Sequence, residues 1–246
     1  MLKKPFVFAY NILESKFLVF GNSLLPHIAQ IFAEEGCEFV FLPIRNGAYS
    51  DLALRISQVQ KGLAAIGDCH LVGYSVAGLD CRLALNSLKS PISSLTTIAS
   101  PHRGSHLAYW ANTQDCQMAV LEPILNSLGL PLSAFKELTP RRLKQLNKGT
   151  AAACPTFSIA AWKDPTDVNP LYQASGQMLQ QELDYERSLN DGVFTVDECL
   201  WGQHLLTFDA DHGELVGTNL HNPCGPVYRL VTDNVKHVSQ LTKASA

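Results

Sequence analysis

Residues 69 to 79 read Cys-His-Leu-Val-Gly-Tyr-Ser-Val-Ala-Gly-Leu, an apolar run that passes directly into Gly73-x-Ser75-x-Ala77-Gly78 and a helix-forming stretch. A serine held on a sharp strand-to-helix turn presents its Oγ outward as a nucleophile, provided that small residues on either side let strand and helix approach. Gly73 and Ala77, two before and two after Ser75, are expected to fill those places. The helix beginning after Ser75 directs its first N–H groups and the positive end of its dipole at an anion. The Val76 N–H is therefore the natural donor to the oxyanion of an acyl-transfer intermediate.

Such a serine has to be carried by a strand and a helix, and the flanking sequence supplies an alternation of both. Residues 5–10 form a near-continuous apolar run, as strands buried on both faces of a parallel sheet do. Ser23 is expected to cap a helix whose apolar positions Leu24, Leu25, Ile28, Ile31 and Phe32 recur at three and four, stopped by Gly36. A strand over 38–42 closed by Pro43, a helix from Asp51 capped by Ser50, a strand over 69–74, a helix over 77–88 and a strand over 94–99 follow. Short connections between alternating strands and helices predict an α/β fold with right-handed crossovers and a mostly parallel central sheet flanked by helices. Ligands bind such sheets at the carboxyl ends of the strands, which is where Ser75 stands. From about 106 to 148 the pattern changes to apolar stretches broken by Pro123, Gly129, Pro131 and Pro140, read as a helical insertion that covers the site as a cap or lid. Strands over 155–161 and 201–208 and a closing helix over 227–241 complete a single domain of residues 1–246.

Composition removes several other classes. Of 246 residues, 46% are hydrophobic and 17% charged, which excludes a disordered or coiled-coil chain. The net charge is −3, from 19 Lys+Arg against 22 Asp+Glu, and no nucleic-acid partner is expected. Seven cysteines without a Cys-x-x-Cys pair point to a reducing, cytoplasmic setting rather than a disulfide framework. No signal peptide and no transmembrane segment is expected. No residues have metal-ligand spacing, and the chemistry calls for no cofactor.

Three blocks then carry a family resemblance. Gly73-Tyr74-Ser75-Val76-Ala77-Gly78-Leu79-Asp80-Cys81-Arg82, Leu95-Thr96-Thr97-Ile98-Ala99-Ser100-Pro101-His102-Arg103-Gly104-Ser105, and Asn190-Asp191-Gly192-Val193 through Trp201-Gly202 to Asp211-His212 occur in this order. Together they resemble the triacylglycerol lipase-like branch of the α/β-hydrolases. The resemblance implies an α/β-hydrolase fold and a serine hydrolase of ester substrates. A triad in this fold runs Ser, then Asp or Glu, then His along the chain, and Asp191 and His212 follow Ser75 in that order, with His204 and His221 as rival bases. Asp80 and Arg82 read as internal braces and Arg103 as a loop-fixing donor.

In the lipase-like branch the first strand leads into His-Gly and an apolar residue whose N–H completes the oxyanion hole. Here Tyr10-Asn11-Ile12 stands in that place. Asn tolerates the positive φ that Gly would adopt, so Ile12 and Val76 are the expected pair of oxyanion donors. Tyr10, Asn11, Tyr74 and His102 are assigned to substrate binding, His102 with a structural role as its alternative because it precedes the acid in the chain. The expected chemistry is acyl transfer from an ester or lipid-like small molecule, with transient contact at a lipid surface. An acyltransferase or phospholipase built on the same triad, and a retired hydrolase acting as a binding protein, are the competing readings.

Overall fold

The computed structural model describes residues 4–13, 25–46, 51–88, 91–113, 118–148, 153–217 and 224–244. Six parallel strands form one sheet in the order β2-β1-β3-β4-β5-β6. They are β1 (Phe6–Leu13), β2 (Phe39–Asn46), β3 (His70–Tyr74), β4 (Ser94–Ile98), β5 (Thr156–Trp162) and β6 (Gln203–Asp209). The helices that cross between β1 and β4 are α1 (Leu25–Glu34), α2 (Leu52–Ile66) and α3 (Val76–Leu85). Between β4 and β5 lie α4 (His106–Thr113), α5 (Met118–Leu128), α6 (Leu132–Lys136) and α7 (Pro140–Leu146). The chain continues through α8 (Pro170–Glu182), α9 (Tyr185–Ser188) and α10 (Val196–Cys199), and after β6 ends in α11 (Gly225–Ala244).

The apolar run at the start of the chain is a strand because both of its faces are buried. Phe6, Phe8, Tyr10 and Ile12 pack with Ile28 and Phe32 of α1 and Tyr228 and Val231 of α11. Val7 and Ala9 point the other way, onto Val59 and Leu63 of α2 and Ala77 and Cys81 of α3. A third cluster joins the helices after β4 to the serine-bearing helix: Leu107, Leu121, Ile124, Leu125, Leu128, Phe135 and Leu143 pack with Val76, Leu79 and Leu83. Helices α4 to α7 are therefore seated on α3 and share its core.

Several boundaries move for local reasons. β2 continues through Pro43 to Asn46. Phe6 N–H donates to Glu38 O, so the even-numbered amides of β2 face β1 and the nitrogen of Pro43 faces the open edge, where no donor is needed. Asp51, not Ser50, caps α2, its carboxylate accepting Leu54 N–H at 2.7 Å; Ser50, like the expected cap Ser23, lies outside the described residues. Pro123 sits inside α5 without ending it, while Pro131 and Pro140 stand at helix starts, positions that lack an intrahelical N–H partner in any case. Among the described residues, no helix is long and apolar enough to cross a membrane.

Candidate active site

Ser75 occupies the turn between β3 and α3 with φ 56° and ψ −136°. This conformation is rare for a residue with a Cβ, and two glycines make it available. A Cβ on Gly73 would collide with Gly78 Cα, and one on Gly78 would collide with Ser100 Oγ and Gly73 O. The close approach expected of Gly73 and Ala77 therefore falls on Gly73 and Gly78, and the Ala77 methyl is absorbed by the α2 side of the core. Ser75 N–H donates to Ile98 O at 2.8 Å, and Gly78 N–H to Ser75 O at 3.1 Å, which fix the turn from both sides.

The structure brings Ser75, His212 and Asp191 into one line of hydrogen bonds, although 137 residues separate the first two in sequence. Ser75 Oγ lies 3.0 Å from His212 Nε2, and His212 Nδ1 lies 2.7 Å from Asp191 Oδ2. With Nδ1–H given to the carboxylate, the Nε2 lone pair accepts a hydrogen bond from the serine hydroxyl. Asp191 is held as an acceptor: its Oδ1 takes the N–H groups of Val193 at 2.9 Å and Phe194 at 2.8 Å. The Asn-Asp-Gly turn thus spends one carboxylate oxygen on its own backbone and aims the other at the imidazole. His212 N–H in turn donates to Asp191 O at 2.8 Å.

The imidazole is enclosed by aromatic rings. Tyr74 lies 5.0 Å from it centroid to centroid, Phe194 5.5 Å and Tyr172 6.2 Å. Tyr74 Oη donates to His212 O at 2.7 Å, and burial pushes the phenol's pKa well up, keeping it a donor. A brace not anticipated in the sequence holds the loop bearing His212. Lys163 Nζ contacts both Glu214 oxygens at 2.8 Å. Asp211 accepts Glu214 N–H and Asn169 N–H, both at 2.9 Å, and Asp211 N–H returns to Glu214 Oε2 at 2.9 Å. The signal available in sequence was Asp-x-x-Glu around the histidine; its cationic partner lies 51 residues away.

The remaining sequence-assigned residues divide. Val76 opens α3, and in the first turn of a helix its N–H has no intrahelical acceptor. Ile12 is placed differently from its expected oxyanion role. β1 runs on to Leu13 in register with β2, Ile12 opposite Arg45, and the ladder that begins with Phe6 N–H turns every even-numbered β1 amide toward β2. Asn11 supplies no bend, since outside glycine only Ser75 and Ala99 have positive φ among the described residues. Its side chain instead donates to Asp80 Oδ2 at 3.3 Å and accepts from Asn46 Nδ2 at 2.8 Å. Asp80 is held by Arg55 Nε at 3.1 and 3.0 Å, a fully buried pair beneath the serine-bearing helix.

Tyr10 lies in the core on the α1 face, against Phe8 and Phe41. His102, assigned to substrate binding, is fully buried with both ring nitrogens occupied. Arg82 Nε donates to Nδ1 at 3.0 Å, so Nε2 carries the proton and donates to Thr97 Oγ1 at 2.9 Å. Burial, with Arg82 beside it, holds this imidazole's pKa well below the ordinary histidine value. Arg82 also stacks on Trp201 at 3.9 Å and donates to Asn147 Oδ1 at 2.6 Å. His102 thus takes the structural role and not the pocket-lining one. Arg103 pairs with Asp197. Of the rival bases, His204 is exposed and faces Thr207, and His221 lies outside the described residues. Ser75 is 3% exposed, Asp191 1% and His212 1%, so the site is covered in this conformation.

Comparison with known proteins follows the same lines. No protein-family model matches the chain. The chain is 28% identical over 211 residues to "Triacylglycerol lipase 2" of Saccharomyces cerevisiae, an alignment covering 77% of this chain and 60% of the yeast protein. Among solved structures it is similar to the mature Bacillus licheniformis lipase BlEst2, with a TM-score of 0.69, 21% identity and 92% of each chain covered. It is also similar to Staphylococcus hyicus lipase, with a TM-score of 0.72 at 11% identity, covering 98% of this chain and 97% of the other. A metagenomic carboxyl esterase gives 0.72 at 15% identity, covering 98% of this chain and 77% of the other. The likeness to these solved structures shows the α/β-hydrolase fold.

Proposed function

We propose that the chain hydrolyses carboxylic esters, lipid-like ones above all, through a Ser75-His212-Asp191 triad and an acyl-enzyme. The observation that carries this reading is the pair of hydrogen bonds from Ser75 Oγ to His212 Nε2 at 3.0 Å and from His212 Nδ1 to Asp191 Oδ2 at 2.7 Å. Ser75 Oγ attacks the ester carbonyl carbon while its proton passes to Nε2. The carbonyl oxygen becomes an oxyanion facing the Val76 N–H. Asp191 holds the imidazolium by its Nδ1 proton, Nε2–H protonates the departing alcohol, and the acyl group remains on Ser75. Water enters by the reverse sequence, its proton taken by Nε2, and the acid leaves.

With the Ile12 amide facing β2, the Val76 N–H is the backbone donor assigned to the oxyanion among the described residues. The apolar residues of α5 that share a cluster with Val76 and Leu79 supply a surface suited to an acyl chain. Because Ser75 is 3% exposed, entry requires a covering element to move, and α5 is the element proposed. The yeast relative is named a triacylglycerol lipase, which agrees with a lipid ester.

The test is hydrolysis of p-nitrophenyl esters from acetate to palmitate by the wild type beside Ser75→Ala. Loss of all turnover in the variant, with a wild-type optimum at longer acyl chains, is expected. Equal rates in both proteins would overturn the reading.

A further inference from the structure

We propose that the outer face of α7, with the end of α6, is a docking surface for an anionic lipid bilayer, edged by Tyr109; the inference rests on the lipid-ester reading above. Residues 136–148 carry Lys136, Arg141, Arg142, Lys144 and Lys148, five of the chain's 19 Lys+Arg, against one carboxylate, Glu137. All five cations are exposed, and none makes an ion pair among the described residues. Glu137 is spent elsewhere, its Oε2 accepting Leu52 N–H at 2.9 Å.

Helix geometry gathers these charges. Leu143 is buried in the cluster shared with α3, and at 100° per residue Arg141 and Lys144 fall on the opposite side, with Lys148 in the turn that follows α7, its N–H on Gln145 O at 3.3 Å. Arg141 and Lys144 stand three apart on α7, a spacing at which like charges repel. The helix dipole accounts for part of this arrangement, since Lys144 and Lys148 lie near the carboxyl end, where cations are favoured. Arg141 and Arg142 lie in the first turn, where the dipole opposes them. On a chain of net charge −3, such a surplus is a positive face that an external anionic surface would complement. The face is also held firmly, because Asn147 accepts from Arg82 at 2.6 Å and donates to His102 O at 2.9 Å.

A neighbouring side chain favours a bilayer over an acidic protein. Asn112 of α4 donates to Lys136 O at 3.0 Å, which lays α4 beside the end of α6. Tyr109, one turn before Asn112, is 49% exposed. A tyrosine beside a band of Lys and Arg matches headgroup depth, where the ring meets the acyl-chain ends and the cations meet phosphates.

The experiment is co-sedimentation of the full chain with vesicles of phosphatidylcholine alone and of phosphatidylcholine with phosphatidylglycerol, at low and high salt. The wild type is expected to bind only the anionic vesicles and to be released by salt. R141Q/K144Q/K148Q is expected to bind about 10²-fold more weakly, each cation at an anionic surface contributing about fivefold. R141K/K144R/K148R is expected to bind as the wild type, and both variants to hydrolyse p-nitrophenyl acetate at the wild-type rate. Equal binding to both vesicle types, no binding, or binding unchanged in the glutamine variant would overturn the proposal. So would failure on vesicles alongside patch-dependent binding to polyglutamate, which would reassign the face to an acidic polypeptide. Vesicle binding without hydrolysis of any ester would sink the hydrolase reading and leave the docking surface standing; hydrolysis without binding would do the reverse.

Discussion

Ser75 sits in a backbone conformation that carries strain. A side chain at φ 56° and ψ −136° costs on the order of 1–3 kcal/mol, and glycine reaches the same angles freely. Ser75→Gly is therefore expected to abolish ester turnover and yet raise the midpoint of thermal unfolding above that of Ser75→Ala, read by calorimetry. A glycine variant no more stable than the alanine one would mean that the turn is relaxed. The sharp turn at Ser75 was legible in sequence because a strand, Gly-x-Ser and a helix stand together, and the hydrogen-bonded grouping of Asp191 and His212 with it only through chain order and resemblance. His102 was not: Pro-His-Arg-Gly is conspicuous, but its histidine is held between Arg82 and Thr97, partners that sequence spacing does not single out.

At the scale of elements, the helices after β4 meet the end of β1 at one tight point. Gly129, at φ +65°, would drive a Cβ into Asn11 O and Ile12 Cα, and its carbonyl accepts Asn46 Nδ2 at 2.8 Å. Gly129→Ala is expected to lower stability by about 1–3 kcal/mol through positive-φ strain and displaced packing, measured by urea denaturation; an unchanged midpoint would show that the α5–α6 turn is loosely seated. The alternation of strands and helices was legible because buried parallel strands are continuously apolar and crossover helices are periodic. The path of β1 past Asn11 was not. Its extension depends on β2 continuing through Pro43, and only the edge position of β2 makes that proline harmless. The same extension turns the Ile12 amide toward β2, which the local sequence Tyr-Asn-Ile cannot reveal.

At the scale of the whole molecule, buried histidines set a pH limit. His70, beside Ser94 at 2.9 Å, has its pKa pushed down to about 4 by burial, with Lys4 adding to the effect. A group that stays neutral in the fold but protonates near 6.5 when unfolded favours unfolding as pH falls below that value, down to about 4. The contribution at pH 5 is about 2 kcal/mol lost relative to pH 7. His70→Asn is expected to flatten the fall in urea midpoint between pH 7 and 5; an equally steep fall would place the acid sensitivity elsewhere, at His102 first. The reactivity of Ser75 is read most directly by peptide mapping after treatment with a fluorophosphonate. A phosphonyl adduct on Ser75, formed quickly in the wild type and at least 10²-fold more slowly in His212→Ala as loss of the general base requires, is the predicted result. An unmodified Ser75, or labelling at an equal rate without His212, would contradict the account.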